Sequence, residues 1–186
     1  MNFAAQIEDR NFLLPTSFSF SIARFPKVGY FGTQINVPGL SLAPAIQPTY
    51  LKDMPWPGDK MEFGDLILTF LVDANLENYI EIQRWMRGIG YPESLTEIYE
   101  WQRDKHDPLD YPSDGDNDAM LNLFADGTLT ILSSNNNALF RVVFKDLWPS
   151  VLSPLQFDSQ ISDVKYLTAT VNFKYSIYDI SEIGCC

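Results

Sequence analysis

The chain has 186 residues, of which 46% are hydrophobic, 14% aromatic and 20% charged, with a net charge of −11. That length suffices for one domain with its own core. No apolar run approaches the roughly 18 residues of a membrane span, and the sequence shows no basic patch of the kind that nucleic-acid recognition needs.

The N-terminus lacks a basic start followed by an apolar stretch, which argues against a signal peptide and for a protein made in a cytoplasm. Residues 1–13 read as an N-terminal arm with Phe3 and Ile7 on one side, closed by Leu14-Pro15. From Ser17 to Arg24, Phe18, Phe20 and Ile22 alternate with Ser17, Ser19 and Ser21, the pattern of a half-buried strand. Pro26 stops it. Gly29 to Val37 reads as a second strand, and Pro38-Gly39 as a turn. Leu40 to Asp59 contains Pro44, Pro48, Pro55 and Pro57, so any pairing there belongs at an edge or in a projecting loop. Tyr50, Met54 and Trp56 place large apolar groups on that segment, which suits a contact between subunits.

The stretch from Glu62 to Gly88 joins a strand too apolar to have one wet face to a helix with a wide apolar surface. Leu66 to Val72 reads as a central strand with both faces covered. A helix follows, capped by Asp73 or Asn75. Leu76, Tyr79, Ile80, Ile82, Trp85, Met86 and Ile89 span an arc of roughly 220° around it. Two roles fit so wide an arc: a core helix of one domain, or a helix also covered by a neighbouring subunit. In the second case Tyr79, Ile82, Trp85 and Met86 join Tyr50, Met54 and Trp56 as interface residues.

Residues 91–118 form an acidic insertion. From Tyr91 to Asp126 ten acids face two bases, so this span holds −8 of the net −11. Glu93 to Arg103 suits a short helix and Asp104 to Asp118 a polar loop. Asp114, Asp116 and Asp118 alternate as calcium ligands do, but Ala119 and Ala125 stand where a calcium-binding loop has glycine and glutamate. Ala119 to Phe124 reads as a strand, Asp126-Gly127 as a tight turn, and Thr128 to Ser133 as the returning strand. Asn135-Asn136-Asn137 is another turn. Leu139 to Phe144 is a strand ended by Leu147-Trp148-Pro149. Val164 to Tyr178 is the longest alternating run and reads as one long strand. Residues 181–186 form a C-terminal tail. Its Cys185 and Cys186, being adjacent, suit neither a mutual bridge nor a zinc site.

Chemistry finds little support. His106 is the lone histidine, so Ser-His-Asp and Cys-His arrangements rest on one loop residue. Glycine patterns that cradle phosphate are absent. Paired carboxylates of a hydrolase carry no specificity by themselves. No cofactor is implied, and the reading is of a non-enzyme. A β-sandwich module that binds carbohydrate through exposed Trp and Tyr is a lesser alternative.

Two blocks carry a resemblance. One runs from Val37-Pro38-Gly39 through Pro57-Gly58-Asp59 and the apolar strand to Asp73 and the Trp85 helix. The other comprises Lys145-Asp146-Leu147-Trp148-Pro149, Leu155-Gln156-Phe157-Asp158 and the closing strand to Tyr175. Together they resemble the tail-tube superfamily of contractile-tailed bacteriophages. Within it the chain is most similar to the T-even-like tail completion type, the head-proximal tube terminator, and next to the main tail tube type. The resemblance covers Phe12 to Asp179 and implies a mainly β (α+β) fold, an antiparallel β-sandwich or barrel-like subunit with one flanking helix. It implies a homohexameric ring in the virion tail, assembled in the host cytoplasm. The implied partners are an adjacent tube ring, neck or connector proteins and sheath terminator proteins, with no membrane. Viral DNA passes through the lumen. It also implies that residues 43–59 project toward neighbouring subunits or the next ring.

Overall fold

The computed structural model describes residues 13–23, 25–90, 92–94, 96, 123–133, 135–158 and 166–183. The N-terminal arm up to residue 12, most of the acidic insertion, His106, the aspartates at 114, 116 and 118, and Cys185-Cys186 lie outside them. In chain order the elements are β1 (Phe18–Ile22), α1 (Pro26–Tyr30), β2 (Gly32–Ile35), β3 (Leu40–Gln47), β4 (Met54–Phe63), β5 (Leu66–Leu71), α2 (Glu77–Gly90), β6 (Ala125–Leu132), β7 (Ala138–Leu152), β8 (Thr168–Lys174) and β9 (Ile177–Glu182).

Strand β7 organises the sheet. Its first half pairs with β6 on one side and β9 on the other, and its second half pairs with β8. β1 extends the sheet beyond β6, while β5 and β2 extend it beyond β8, giving seven strands, all antiparallel neighbours. The strand bends where Asp146 takes a left-handed backbone, φ 54°. Register shifts flank the bend, as expected where a strand passes from one sheet layer to another. On the partner side, β8 and β9 follow β7 almost continuously, Trp148 opposite Lys174 and Lys145 opposite Ile177. The chain turns between them at Tyr175-Ser176, where the Ser176 N–H donates to the Lys145 carbonyl at 3.0 Å.

The inward faces share one core. Phe20 and Ile22 of β1, Leu66, Leu68 and Phe70 of β5, Leu129 of β6, Val142, Phe144 and Leu147 of β7, and Val171 and Phe173 of β8 are buried in it. Helix α1 lies so close on β1 that a Cβ on Gly29 would come within 2.4 Å of the Phe20 carbonyl oxygen. Helix α2 closes the core with Ile82 and Trp85. The Trp85 ring lies 5.0 Å from Phe25 and 6.0 Å from Phe173, centroid to centroid, and its Nε1–H donates to the Leu123 carbonyl at 2.9 Å. Asn78 is also fully buried, and its side chain is satisfied by the strand that precedes the helix. Its Nδ2 donates to the Leu71 carbonyl at 2.8 Å, and its Oδ1 accepts from the Asp73 N–H at 3.3 Å.

Five expectations from the sequence change. Gly29 and Tyr30 belong to α1, so β2 is shorter than Gly29 to Val37. Asp126-Gly127 is not a turn but part of β6: Gly127 fits beneath Leu147 and Phe20, whose atoms would lie 3.2 and 3.4 Å from a Cβ there. Trp148-Pro149 does not end β7, because the register shift beside Pro149 absorbs its missing N–H. The run from Val164 to Tyr178 is broken by the corner at Tyr175-Ser176 into β8 and β9. Strand β5 also has one wet face: its residues alternate between buried and accessible, and Ile67 is 40% exposed.

Candidate functional site

Among the described residues strands β3 and β4 pair only with each other and form a second, two-stranded sheet. An isolated hairpin buries too little to be independently stable in water. Of its strand residues, all but Gly58 and Phe63 are exposed. The segment is a projecting arm rather than an irregular loop. Its prolines are tolerated because each strand of a two-stranded ribbon has one unpaired edge; Pro44 stands opposite Pro57, and Ile46 opposite Pro55.

The pairing register sorts the side chains. Leu40 faces Phe63 and Leu42 faces Met61, then, after an irregularity, Pro44 faces Pro57 and Ile46 faces Pro55. The irregularity sets three residues of β4 against one of β3, an even difference that keeps the alternation of sides. One side of the arm therefore carries Leu40, Leu42, Pro44 and Ile46 beside Pro55, Pro57, Met61 and Phe63. The opposite side is mixed, with Ser41, Gln47 and Glu62 beside Met54 and Trp56. At the tip Tyr50 and Leu51 are 101% and 92% exposed. Gly58 lets the strands approach at the irregularity: a Cβ there would lie 1.9 Å from the Ala43 carbonyl oxygen. So large an apolar surface on so thin an element is a surface to be covered.

The seven interface candidates divide between two places. Tyr50, Met54 and Trp56 are exposed on the arm. Ile82 and Trp85 are fully buried in the chain's own core, so a neighbour has no access to either. Tyr79 and Met86 are half-buried against that core, and the Tyr79 hydroxyl donates to the Ser153 carbonyl at 3.1 Å. Sequence reasoning missed Leu40, Leu42, Ile46 and Met61. Their signal, apolar residues at every second position from Leu40 to Ile46, was present but interrupted by prolines.

Lys27 of α1 pairs with Glu77 of α2. The hydrogen bond and charge of Glu77 raise the Lys27 pKa, and Lys27 lowers that of Glu77 in return. Lys174 pairs with Asp65. Among the described residues no three His, Cys, Asp or Glu side chains gather as a metal site, and no helix is long and apolar enough to cross a membrane.

The fold as a whole, with its antiparallel sheet, core-closing helix and two-stranded arm, is similar to that of chains from contractile injection systems. A chain of the anti-feeding prophage tube-terminating cap matches with a TM-score of 0.58 at 11% identity, covering 98% of this chain and 99% of that one. A chain of the anti-feeding prophage baseplate matches with a TM-score of 0.57 at 10% identity, over 90% and 93%. A chain of the PVC sheath–tube complex, from an extracellular contractile injection system, matches with a TM-score of 0.56 at 12% identity, over 98% and 100%. No protein-family model and no curated protein matches the sequence.

Proposed function

We propose that the chain is a structural subunit of a contractile tail, forming a homohexameric ring of the tail tube. In this reading the ring is the terminator that caps the tube and joins it to the neck, and its lumen passes the viral DNA. The observation that carries the proposal is the arm: eight large apolar side chains of its strands and tip are exposed, with none of the described residues covering them. A second copy is the occupant that a closed ring supplies to every subunit alike. The likeness to a tube-terminating cap over nearly the full length of both chains supports the terminator reading. A neck or sheath terminator protein would then meet the outer surface of the ring.

The main tube protein, stacking as many rings, is the second reading. The likeness to the sheath–tube complex, over an equal share of this chain, favours it. Electron microscopy of particles carrying a labelled copy separates the two: a terminator appears once, beneath the neck, and a tube protein repeats along the tail. A chain that stays monomeric at high concentration and decorates no tube would remove both.

A further inference from the structure

The arm leaves the body at a single root, and two adjacent tyrosines, their ring centroids 5.9 Å apart, hold one strand end each. The Tyr178 hydroxyl donates to the carbonyl of Pro38, just before β3, at 3.1 Å. The Tyr175 hydroxyl donates to the carbonyl of Gly64, just after β4, at 2.9 Å. Between these points the Gly64 N–H donates to the Gly39 carbonyl at 2.9 Å, closing the base of the ribbon. Both tyrosine rings meet Phe63, the last residue of β4, edge to face at 6.1 and 5.8 Å. Phe144 of β7 backs both from the core side at 5.2 and 5.7 Å.

We propose that Tyr175 and Tyr178 are positioning residues that set the angle of the arm before it meets a second copy of the chain. The proposal deepens the assembly reading and rests on it for the identity of the occupant. One hydrogen bond to one strand leaves a ribbon free to rock about that point; a bond to each strand removes that freedom. Among the described residues the arm pairs with no other strand, so its orientation is set at the root. A pre-oriented arm loses less conformational freedom on docking, which strengthens association without adding a contact. Tyr175 stands at the corner between β8 and β9, with Tyr178 on β9 just beyond it, where β7 exchanges one partner for the other beside Asp146. The direction of the arm is thereby tied to the bend of the body.

The test is the double variant Tyr175→Phe, Tyr178→Phe, which keeps both rings and removes both hydroxyls. Spin labels at Thr49→Cys on the tip and Ser19→Cys on β1, with Cys185→Ser and Cys186→Ser, report the arm's distance from the body in the unassembled chain. The expected result is a narrow distance distribution with both tyrosines and one at least twice as broad in the double variant, at an unchanged melting midpoint. Self-association then weakens tenfold or more. A distribution of unchanged centre and width overturns the inference. A broadened distribution with undiminished association supports the clasp but removes the arm from assembly, so the two failures are told apart. Should the double variant not fold, either single variant is expected to broaden the distribution by itself, and its failure to do so is equally decisive.

Discussion

Two tryptophans separate folding from assembly. Trp85 is fully buried, packed on Phe25 and Phe173, with its N–H bonded to the Leu123 carbonyl. Trp85→Ala removes that packing and orphans a carbonyl, at a cost of about 3–5 kcal/mol. For a domain of this size the melting midpoint falls by about 10 °C. Trp56 is 55% exposed on the arm. Its replacement by alanine leaves monomer stability within about 0.5 kcal/mol. Its effect falls on association: of the roughly 250 Å² of a tryptophan, about 140 Å² remains for a partner to cover. At about 25 cal/mol per Å² that area contributes up to ~3 kcal/mol, or about a hundredfold in the association constant. Thermal melting of dilute protein measures the first effect, and sedimentation velocity across a concentration series the second. The reasoning is refuted if Trp56→Ala lowers the melting midpoint as Trp85→Ala does, or if it associates as tightly as the parent chain.

Two glycines give a matching contrast. Gly29→Ala drives a Cβ against the Phe20 carbonyl and lowers global stability by about 1–3 kcal/mol, read by denaturant titration. Gly58→Ala drives one against the Ala43 carbonyl; it opens the middle of the arm and weakens association, while amide exchange in β5 and β8 stays as slow as in the parent. Alkaline pH addresses the root. Burial first, and then the charges of Tyr178 and Asp65, push Tyr175 up to about 12 from its ordinary 10.0. A raised pKa means that the neutral, donating form is fully held below pH 10 and lost as pH rises through 12. The tip-to-β1 distance distribution is therefore expected to broaden between those limits in the parent chain, and to gain no such further breadth in Tyr175→Phe. At the acid end, the depressed Glu77 pKa means that its pair with Lys27 contributes above pH 4.5 and fades below it, a dependence that Glu77→Gln abolishes in pH-dependent melting.

The alternation of Phe18, Phe20 and Ile22 marks β1, and the wide apolar arc marks α2, because each pattern is local and maps directly onto burial. The breadth of that arc is answered by the core: Ile82 and Trp85 go inward and the flanking Tyr79 and Met86 lie half-covered along its margin. Corners were harder to read. Nothing local distinguishes Asp146 in a bend from Asp146 in a strand end, since its backbone is set by β6 and β8 competing for two halves of one strand. The Val164–Tyr178 run hides its break for the same reason, as Tyr175 keeps the alternation while the chain changes layer. For the arm, the prolines pointed correctly to edges and projection, yet they concealed how regular the pairing is. The root is legible only in three dimensions, since Tyr178 and Pro38 are 140 residues apart.

Whether the arm is covered by a second copy is tested most directly by cryo-electron microscopy of the purified, assembled chain. The predicted result is a six-fold ring in which Leu42, Ile46 and Trp56 of each arm are buried against another subunit while Trp85 keeps its place in the core of its own. A chain that forms no ring, or a ring in which the arms remain in solvent, would contradict it.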